Sequence, residues 1–320
     1  MILASGKHGF CIAFAILALG ACSAQSAPHA RPLAAAAPGT KVVSPNVVVT
    51  TSTIAALASS VAGSRIQIHT LVPLGASPET YEPTPRDIVM LERTDLLIEN
   101  GAGLEAWLRK IIASARSSHM SVLVLSTGLT VAASTNAPGA ASPSGYANPH
   151  LWLDPVFAQA YVRRISAALV RLDPAGAAIY RHNASAELQR LRALDVWIRS
   201  RMATVPPANR VMITFHDAWF YFDRRYGIVD LGSVVTAPGR EPSAADFAAL
   251  IAKAKANRVR AIFGEPEYSP KLVEQLASSA HIRIVANLYD DSLGQSPQLS
   301  SYEGMLRYDV DTIVQALRNG

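Results

Sequence analysis

One segment near the middle of the chain decides the fold: Ala184-Ser185-Ala186-Glu187-Leu188-Gln189-Arg190-Leu191-Arg192-Ala193-Leu194-Asp195-Val196-Trp197-Ile198-Arg199-Ser200-Arg201-Met202. Its apolar residues recur every three or four positions, which predicts one buried face of an α-helix. Pro206-Pro207 ends the pattern. We predict a helix over about 174–203, roughly 45 Å long, because each helical residue adds about 1.5 Å. Such a helix would act as a stiff spine between two halves that bend little.

Short β-branched runs alternate with helical patterns on both sides of this spine. Before it, strands are predicted at 47–49, 66–72, 96–98 and 122–125, and helices at 52–61, 85–93, 104–115 and 156–172. After it, strands are predicted at 211–215, 228–235, 260–263 and 282–288, with helices that begin near Ser243 and Ser269. This alternation predicts an α/β fold of two lobes, each a mainly parallel sheet flanked by helices. The domain limits that we predict are 46–173, 174–205 for the spine, and 206–320.

The beginning of the chain has the order of a secretory signal. Lys7 and His8 precede an apolar run that closes on Leu19-Gly20-Ala21-Cys22. We therefore predict export, a signal over 1–21, and a lipid attached to Cys22 as in bacterial lipoproteins. An ordinary signal peptide with an incidental cysteine is the alternative. Residues 22–45 are mostly Ala, Pro and small polar residues, which predicts a flexible tether that holds the folded body near a membrane.

Composition excludes several classes of protein. Of the 320 residues, 50% are hydrophobic and 17% are charged, so the signature of disorder is absent. The net charge of +5 is scattered, without a block of five or six basic residues, which argues against a nucleic-acid partner. The apolar run 10–21 is shorter than the roughly 20 residues of a membrane span. We expect an exported monomer that is anchored rather than integral.

Four segments carry carboxylate or imidazole donors. They are Ser77-Pro78-Glu79-Thr80-Tyr81-Glu82-Pro83, Asn148-Pro149-His150-Leu151-Trp152-Leu153-Asp154-Pro155, Thr214-Phe215-His216-Asp217, and Leu288-Tyr289-Asp290-Asp291-Ser292-Leu293-Gly294. Most of them follow predicted strands, and α/β sheets bind ligands beyond the carboxyl ends of their strands. Taken singly, each segment also has an ordinary interpretation, because a histidine before a helix is often a surface group and Asp-Asp-Ser is often a turn.

Together and in this order, these segments resemble the TroA-like solute-binding lipoproteins that take up zinc and manganese for ABC importers. The run Val72 to Pro85 and the segment Phe263-Gly264-Glu265-Pro266-Glu267 extend the resemblance, which covers roughly 46–320. It implies a single metal ion between the lobes, with one ligand from each of four loops. Carried over by position, the four ligands are Glu79, His150, His216 and Asp291.

The first loop departs from the family pattern. The family usually has Asp-Pro-His there, and this chain has Ser77-Pro78-Glu79, so a carboxylate replaces an imidazole. Both groups bind divalent first-row metals, and two carboxylates would neutralise the ion. In the alternative, Glu79 points to solvent and water or Glu82 completes the shell. Asp290 competes with Asp291 for the last position. Glu265 is a candidate partner for an imidazole N–H group.

The other histidines are interpreted as structural or surface groups: His29, His69, His119, His182 and His281. Zinc-binding members of the family often carry a histidine-rich loop before the second ligand. Residues 126–147 contain no histidine here, which removes one argument for zinc without establishing manganese.

The resemblance implies an extracytoplasmic receptor, not an enzyme, that captures Zn²⁺ or Mn²⁺, with Fe²⁺ also admitted, and passes it to a membrane permease. An exported mononuclear metallohydrolase is one alternative, but it needs an open coordination position and a general base. The chain has no Gly-x-Ser-x-Gly elbow, His-Glu-x-x-His helix or phosphate-binding glycine loop. A surface adhesin is a second alternative.

Overall fold

The computed structural model describes residues 45–115, 119–132, 147–236, 238–285 and 288–318. The predicted signal, the tether, Cys22 and most of the loop 126–147 lie outside these residues. Two four-stranded sheets are present, and every pair of hydrogen-bonded neighbouring strands within them is parallel. This confirms the predicted α/β fold with two parallel sheets.

The first sheet has the strand order β2-β1-β3-β4. Its half of the chain consists of β1 (Val47–Val49), α1 (Ser52–Ala62), β2 (Ile68–Thr70), α2 (Pro85–Glu92), β3 (Leu96–Glu99), α3 (Leu108–Ala115), β4 (Ser121–Val124) and α4 (Pro155–Leu172). The central strand β1 is buried at all three positions. Continuous β-branched residues are expected there because a parallel sheet is covered on both faces.

Helix α2 begins where its sequence predicts. Asp87 Oδ2 accepts hydrogen bonds from Thr84 N at 2.7 Å and from Thr84 Oγ1 at 2.8 Å, and Pro85 occupies the first helical position. The carboxylate thereby satisfies donors at the start of the helix that have no partner within it. The local sequence was sufficient to predict this boundary.

Helix α3 begins one turn later than the predicted residue 104. The reason is the buried Glu105, whose carboxylate accepts hydrogen bonds from Thr50 Oγ1, Asn100 N and Gly101 N at 2.7 to 3.0 Å. These bonds hold residues before α3 in turns, and Gly101 has a positive φ of 78° that suits glycine. The predicted start was wrong because a long-range contact with Thr50 outweighs the helical pattern.

The long central helix is α5 (Ala177–Met202), which has 26 residues and a length of about 39 Å. A short 3-10 turn, Pro174–Gly176, replaces the first turn of the predicted helix. The corner is held by Asp173, which pairs with Arg65 and accepts a hydrogen bond from Tyr180 Oη at 2.5 Å. Helix α5 packs against α4 and α1.

The second sheet has the order β6-β5-β7-β8, which repeats the order of the first. Its half of the chain consists of β5 (Val211–Thr214), α6 (Phe220–Tyr226), β6 (Val229–Ser233), α7 (Ala244–Ala256), β7 (Ala261–Phe263), α8 (Lys271–Ala280), β8 (Arg283–Val285) and α9 (Tyr302–Arg318). Helices α6 and α9 were not among the predicted elements. Helix α9 contacts both α5 and α1, so the end of the chain packs against its first helix.

Among the described residues, no helix combines the length and the apolar character that a membrane crossing requires.

Candidate metal centre

Each of the four predicted ligands lies in a loop beyond the carboxyl end of a strand. Glu79 follows β2, His150 lies between β4 and α4, His216 follows β5, and Asp291 follows β8. Parallel strands direct their carboxyl ends toward one edge of each sheet, so loops from both sheets meet there.

The structure brings the four side chains together. The Nε2 atoms of His150 and His216 lie 3.0 Å apart. Glu79 Oε1 is 3.2 Å from His150 Nε2 and 4.0 Å from His216 Nε2. Asp291 Oδ1 is 3.5 Å from His150 Nε2. Two ligand atoms of a tetrahedral ion with bonds of ~2.1 Å lie about 3.4 Å apart. The donor atoms of Glu79, His150 and His216 all lie within 4.8 Å of one another and suit a single small cation, whereas Asp291 lies outside that group and approaches it at His150.

Asp291 offers an oxygen for such an ion. Its Oδ1 is buried and, among the described residues, accepts no hydrogen bond of good geometry. Its Oδ2 accepts hydrogen bonds from Ser77 Oγ at 3.2 Å and Tyr268 Oη at 3.4 Å. One oxygen is therefore used to orient the carboxylate and the other faces the imidazoles. Tyr268 was not among the predicted site residues, because no local motif distinguishes it.

The ring of His150 is oriented by Asn148. His150 Nδ1 lies 3.0 Å from Asn148 Oδ1, and Asn148 Nδ2 donates to the backbone oxygen of Asp217 at 2.7 Å. An amide oxygen beside Nδ1 requires a proton on Nδ1, so the lone pair of Nε2 is free to bind a metal. The sequence analysis did not assign Asn148 this role, although an Asn two residues before a histidine is a local signal for it.

The ring of His216 is oriented in the same way by Glu265. His216 Nδ1 is 2.7 Å from Glu265 Oε2, and the His216 backbone N–H donates to Glu265 Oε1 at 3.2 Å. Both side chains are almost completely buried. The carboxylate thus fixes the ring and leaves Nε2 directed at the common point.

Asp290 and Asp291 point in different directions. Asp290 Oδ2 accepts a hydrogen bond from Trp219 Nε1 at 3.2 Å and lies 4.0 Å from His216 Nδ1, the ring nitrogen that faces away from His150. Asp291 instead faces the Nε2 atom of His150. The geometry therefore favours Asp291 over Asp290 as the residue that faces the convergence point.

The model of the family described as "Zinc-uptake complex component A periplasmic" (ZnuA) matches residues 47–316 of the chain. The protein belongs to this family. The iron-binding protein YfeA of Yersinia pestis is 30% identical over 84% of this chain and 85% of its own length. The manganese-binding lipoprotein MntA of Halalkalibacterium halodurans is 29% identical over 81% of this chain and 83% of its own length.

Solved structures agree with this membership. The periplasmic zinc-binding protein TroA of Treponema pallidum is 28% identical and superposes with a TM-score of 0.78, covering 86% of this chain and all of its own. A Mn-bound periplasmic metal-binding protein of Candidatus Liberibacter asiaticus, 23% identical, has the same fold with a TM-score of 0.77 over 85% of this chain and 99% of its own. Since these relatives are named for metal uptake and binding, they do not support the hydrolase alternative.

The electrostatics of the candidate centre favour positive charge. Burial lowers the pKa of His150, but hydrogen bonds and charges from Asp291 and Glu79 outweigh it and raise that pKa to about 10. Burial raises the pKa of Asp291, yet the close contact with His150 and the charges of both imidazoles bring it below the usual value. Positive charge at this point is therefore stabilised by carboxylates that burial would otherwise neutralise.

The centre opens to solvent at Glu79. Its side chain is 19% exposed, whereas those of His150, His216 and Asp291 are at most 2% exposed. An ion would therefore enter past Glu79, the residue at which this chain departs from the family pattern.

The remaining histidines of the described chain do not join such a group. Clusters of three or more His, Cys, Asp or Glu donors within 4.8 Å include none of His69, His119, His182 and His281 among the residues described. His119 lies 3.8 Å from Asp95, and His281 ends α8 in the left-handed conformation. His29 lies outside the described residues.

Proposed function

We propose that the protein is an extracytoplasmic receptor that captures one divalent transition metal ion and delivers it to the permease of an ABC importer. The proposed ligands are His150, His216, Glu79 and Asp291. The observation that carries the proposal is the convergence of two imidazole Nε2 atoms, 3.0 Å apart, between these two carboxylates. Relatives that are named for binding iron, manganese and zinc support it.

The donor set suits binding better than catalysis. A catalytic zinc site usually keeps one coordination position for water, whereas four protein ligands fill a tetrahedral shell. Asn148 and Glu265 also hold both imidazoles with Nε2 toward the ion, so neither ring is free to shuttle a proton. Retention of the ion, followed by its release to a partner, is the function that this arrangement favours.

Two imidazoles and two carboxylates admit Zn²⁺, Mn²⁺ and Fe²⁺. Carboxylate oxygens favour Mn²⁺ more than imidazole nitrogens do, while affinity at most sites rises from Mn²⁺ through Fe²⁺ toward Zn²⁺. We propose Zn²⁺ or Mn²⁺ as the ion carried in the cell. Elemental analysis of protein purified from its own envelope, without added metal, would identify it.

We further propose that the receptor is a monomer anchored through a lipid on Cys22, after removal of residues 1–21. A lipid contributes about 0.8 kcal/mol per buried CH₂ group, so its loss should move the protein out of the membrane fraction. The test is Cys22→Ser followed by fractionation of cells. A cleaved Cys22→Ser protein that stays with the membrane would contradict the anchor.

The ligand assignment is tested by competition titration with a chromophoric chelator. His150→Ala, His216→Ala and Asp291→Asn should each weaken Zn²⁺ and Mn²⁺ binding by at least about a hundredfold, because each removes one of four ligands. His182→Ala on α5 is the control, and it should bind like the parent. If both histidine variants keep the parent affinity, the centre is not the binding site.

Glu79 is tested by two substitutions. Glu79→Gln removes a charge while keeping the shape, so affinity for both ions should fall. Glu79→His creates a third imidazole and should raise the ratio of Zn²⁺ to Mn²⁺ affinity, because imidazole is the softer ligand. If Glu79→Gln leaves both affinities unchanged and Glu79→His leaves their ratio unchanged, Glu79 does not touch the ion. Water or Glu82 then takes its place.

A further inference from the structure

A second concave site lies between α4 and α5, and none of its lining residues belongs to the candidate metal centre. Three arginines border it: Arg163 from α4, and Arg181 and Arg192 from α5. Its volume is about 350 Å³. We call it the arginine groove.

Small side chains form the floor of the arginine groove. Ser166 and Ala184 are buried, and Ser185 and Leu188 complete the lining. Ser166 Oγ donates to the backbone oxygen of Tyr180, so its hydroxyl ties α4 to α5. The small residues let the helices approach closely and leave a depression beneath the three longer arginine side chains.

The charge of the arginine groove is not balanced within the protein. Among the described residues, Arg163, Arg181 and Arg192 make no hydrogen bond or ion pair.

The acidic residues on and between the same helices are already engaged elsewhere. Asp173 pairs with Arg65, Glu187 with Arg190, and Asp195 with Arg225. Three exposed like charges therefore border one depression, and together they give it a positive field that attracts anions.

We propose that the arginine groove binds a phosphate group, carried either by a soluble phosphate ester or by the headgroup of an anionic phospholipid. The planar fork of a guanidinium matches two phosphate oxygens, and several such forks around one depression are the usual chemistry of phosphate recognition. Val196, one turn after Arg192 on α5, is 67% exposed and offers an apolar contact beside the charge. The inference does not depend on the metal centre.

The soluble arm of the test uses the full chain with Cys22→Ser, so that no lipid contributes to binding. Inorganic phosphate and glycerol phosphate are titrated by calorimetry at constant ionic strength in chloride. The double variant Arg163→Gln/Arg192→Gln should weaken binding about tenfold or more, because it removes two charge-assisted contacts. Arg163→Lys/Arg192→Lys keeps the charge and should still weaken binding severalfold, because an ammonium cannot bind two oxygens in a fork.

The matched control is Arg86→Gln/Arg224→Gln, which removes the same charge at two exposed arginines outside the groove. It should bind within about twofold of the parent. If the control and the groove variant lose binding equally, the attraction is general electrostatics and the proposal fails.

The second arm distinguishes the two sources of phosphate. Flotation is measured with phosphatidylcholine vesicles that contain or lack phosphatidylglycerol. Arginine-dependent binding to the anionic vesicles identifies a headgroup site, whereas arginine-dependent binding of glycerol phosphate without a vesicle preference identifies a soluble ester. Absence of arginine-dependent binding in both arms overturns the proposal.

Discussion

The two halves of the described chain have the same strand order but accommodate buried carboxylates differently. In the first half, Asp87 Oδ2 accepts three hydrogen bonds and Glu105 accepts three across its two oxygens. In the second half, several buried carboxylate oxygens have no hydrogen-bond partner within the described residues. They include both oxygens of Asp223, both oxygens of Glu267, and Oδ2 of Asp309.

This difference has an electrostatic consequence. Burial raises the pKa of Glu105 only to about 7, because its hydrogen bonds stabilise the charged form. Burial and the charges of Asp290 and Asp291 raise the pKa of Glu267 to about 9. The pKa values of Asp223 and Asp309 are also well above normal, chiefly through burial. The charged form of these carboxyl groups is therefore disfavoured in the second half, and a cation bound nearby would stabilise that form.

The largest effect that we expect is a stability gain on metal binding that is concentrated in the second half. At a free ion concentration of 100 times Kd, the gain should be about 2.7 kcal/mol. Hydrogen exchange with and without Zn²⁺ or Mn²⁺ should show greater added protection in β5, β7 and β8 than in β1, β3 and β4. The variant His216→Ala, which should not bind the ion, is the control. Equal added protection of both sheets would contradict the proposed difference between the two halves.

A smaller effect should come from neutralising one buried acid in each half. Asp223→Asn should stabilise the metal-free protein by about 1–3 kcal/mol at pH 8, because folding of the parent must either protonate this carboxyl group or bury its charge without a partner, and the amide needs neither. Asp87→Asn should instead cost about 1 kcal/mol, because its charge-assisted hydrogen bonds weaken.

The size of the Asp223 effect should depend on pH. The folded-state pKa of Asp223 is above its unfolded value, so the stability from its protonated form is present at low pH and is lost as pH rises. The advantage of Asp223→Asn should therefore vanish below about pH 4. Denaturant unfolding at pH 4 and pH 8 measures the change in the free energy of unfolding. If Asp223→Asn and Asp87→Asn change it with the same sign at pH 8, the contrast between the halves is contradicted.

The smallest effect should come from the corner between α4 and α5, where Asp173 meets Arg65 and Tyr180. The hydrogen bond from Arg65 is the largest cause, and with the hydrogen bond from Tyr180 it lowers the pKa of Asp173 to about 2. Because the folded-state pKa is depressed, the contribution to stability is present above about pH 4 and is lost as pH falls toward 2. The pair is partly exposed, so salt should screen the effect.

The measurement for this corner is unfolding between pH 5 and pH 2. The parent should lose more stability over this range than Asp173→Asn does, and Tyr180→Phe should lie between them. Parallel curves for all three proteins would exclude Asp173 as the titrating group.

Local sequence determined most of the secondary structure, because strands and helices depend on residue periodicity and on caps that lie within a few positions. The start of α7 after Ser243 is an example, since Ser243 Oγ accepts the hydrogen bond from Asp246 N. Helix α9 could also have been predicted from the sequence, because helical spacing relates its buried residues Met305, Leu306, Val310, Ile313 and Leu317. The start of α3 could not be predicted from the local sequence, because it depends on the long-range contact between Glu105 and Thr50.

The candidate centre could likewise be predicted only in part from the sequence. Motif order was enough to select Glu79, His150, His216 and Asp291 as candidates, because each belongs to a short recognisable segment. Only the tertiary structure revealed that the two Nε2 atoms converge at 3.0 Å and that Tyr268 reaches Asp291. Those distances depend on how loops from two sheets pack, and packing joins residues that are far apart in the chain. The unpartnered carboxylates and the arginine groove likewise arise from contacts between elements, which no local pattern records.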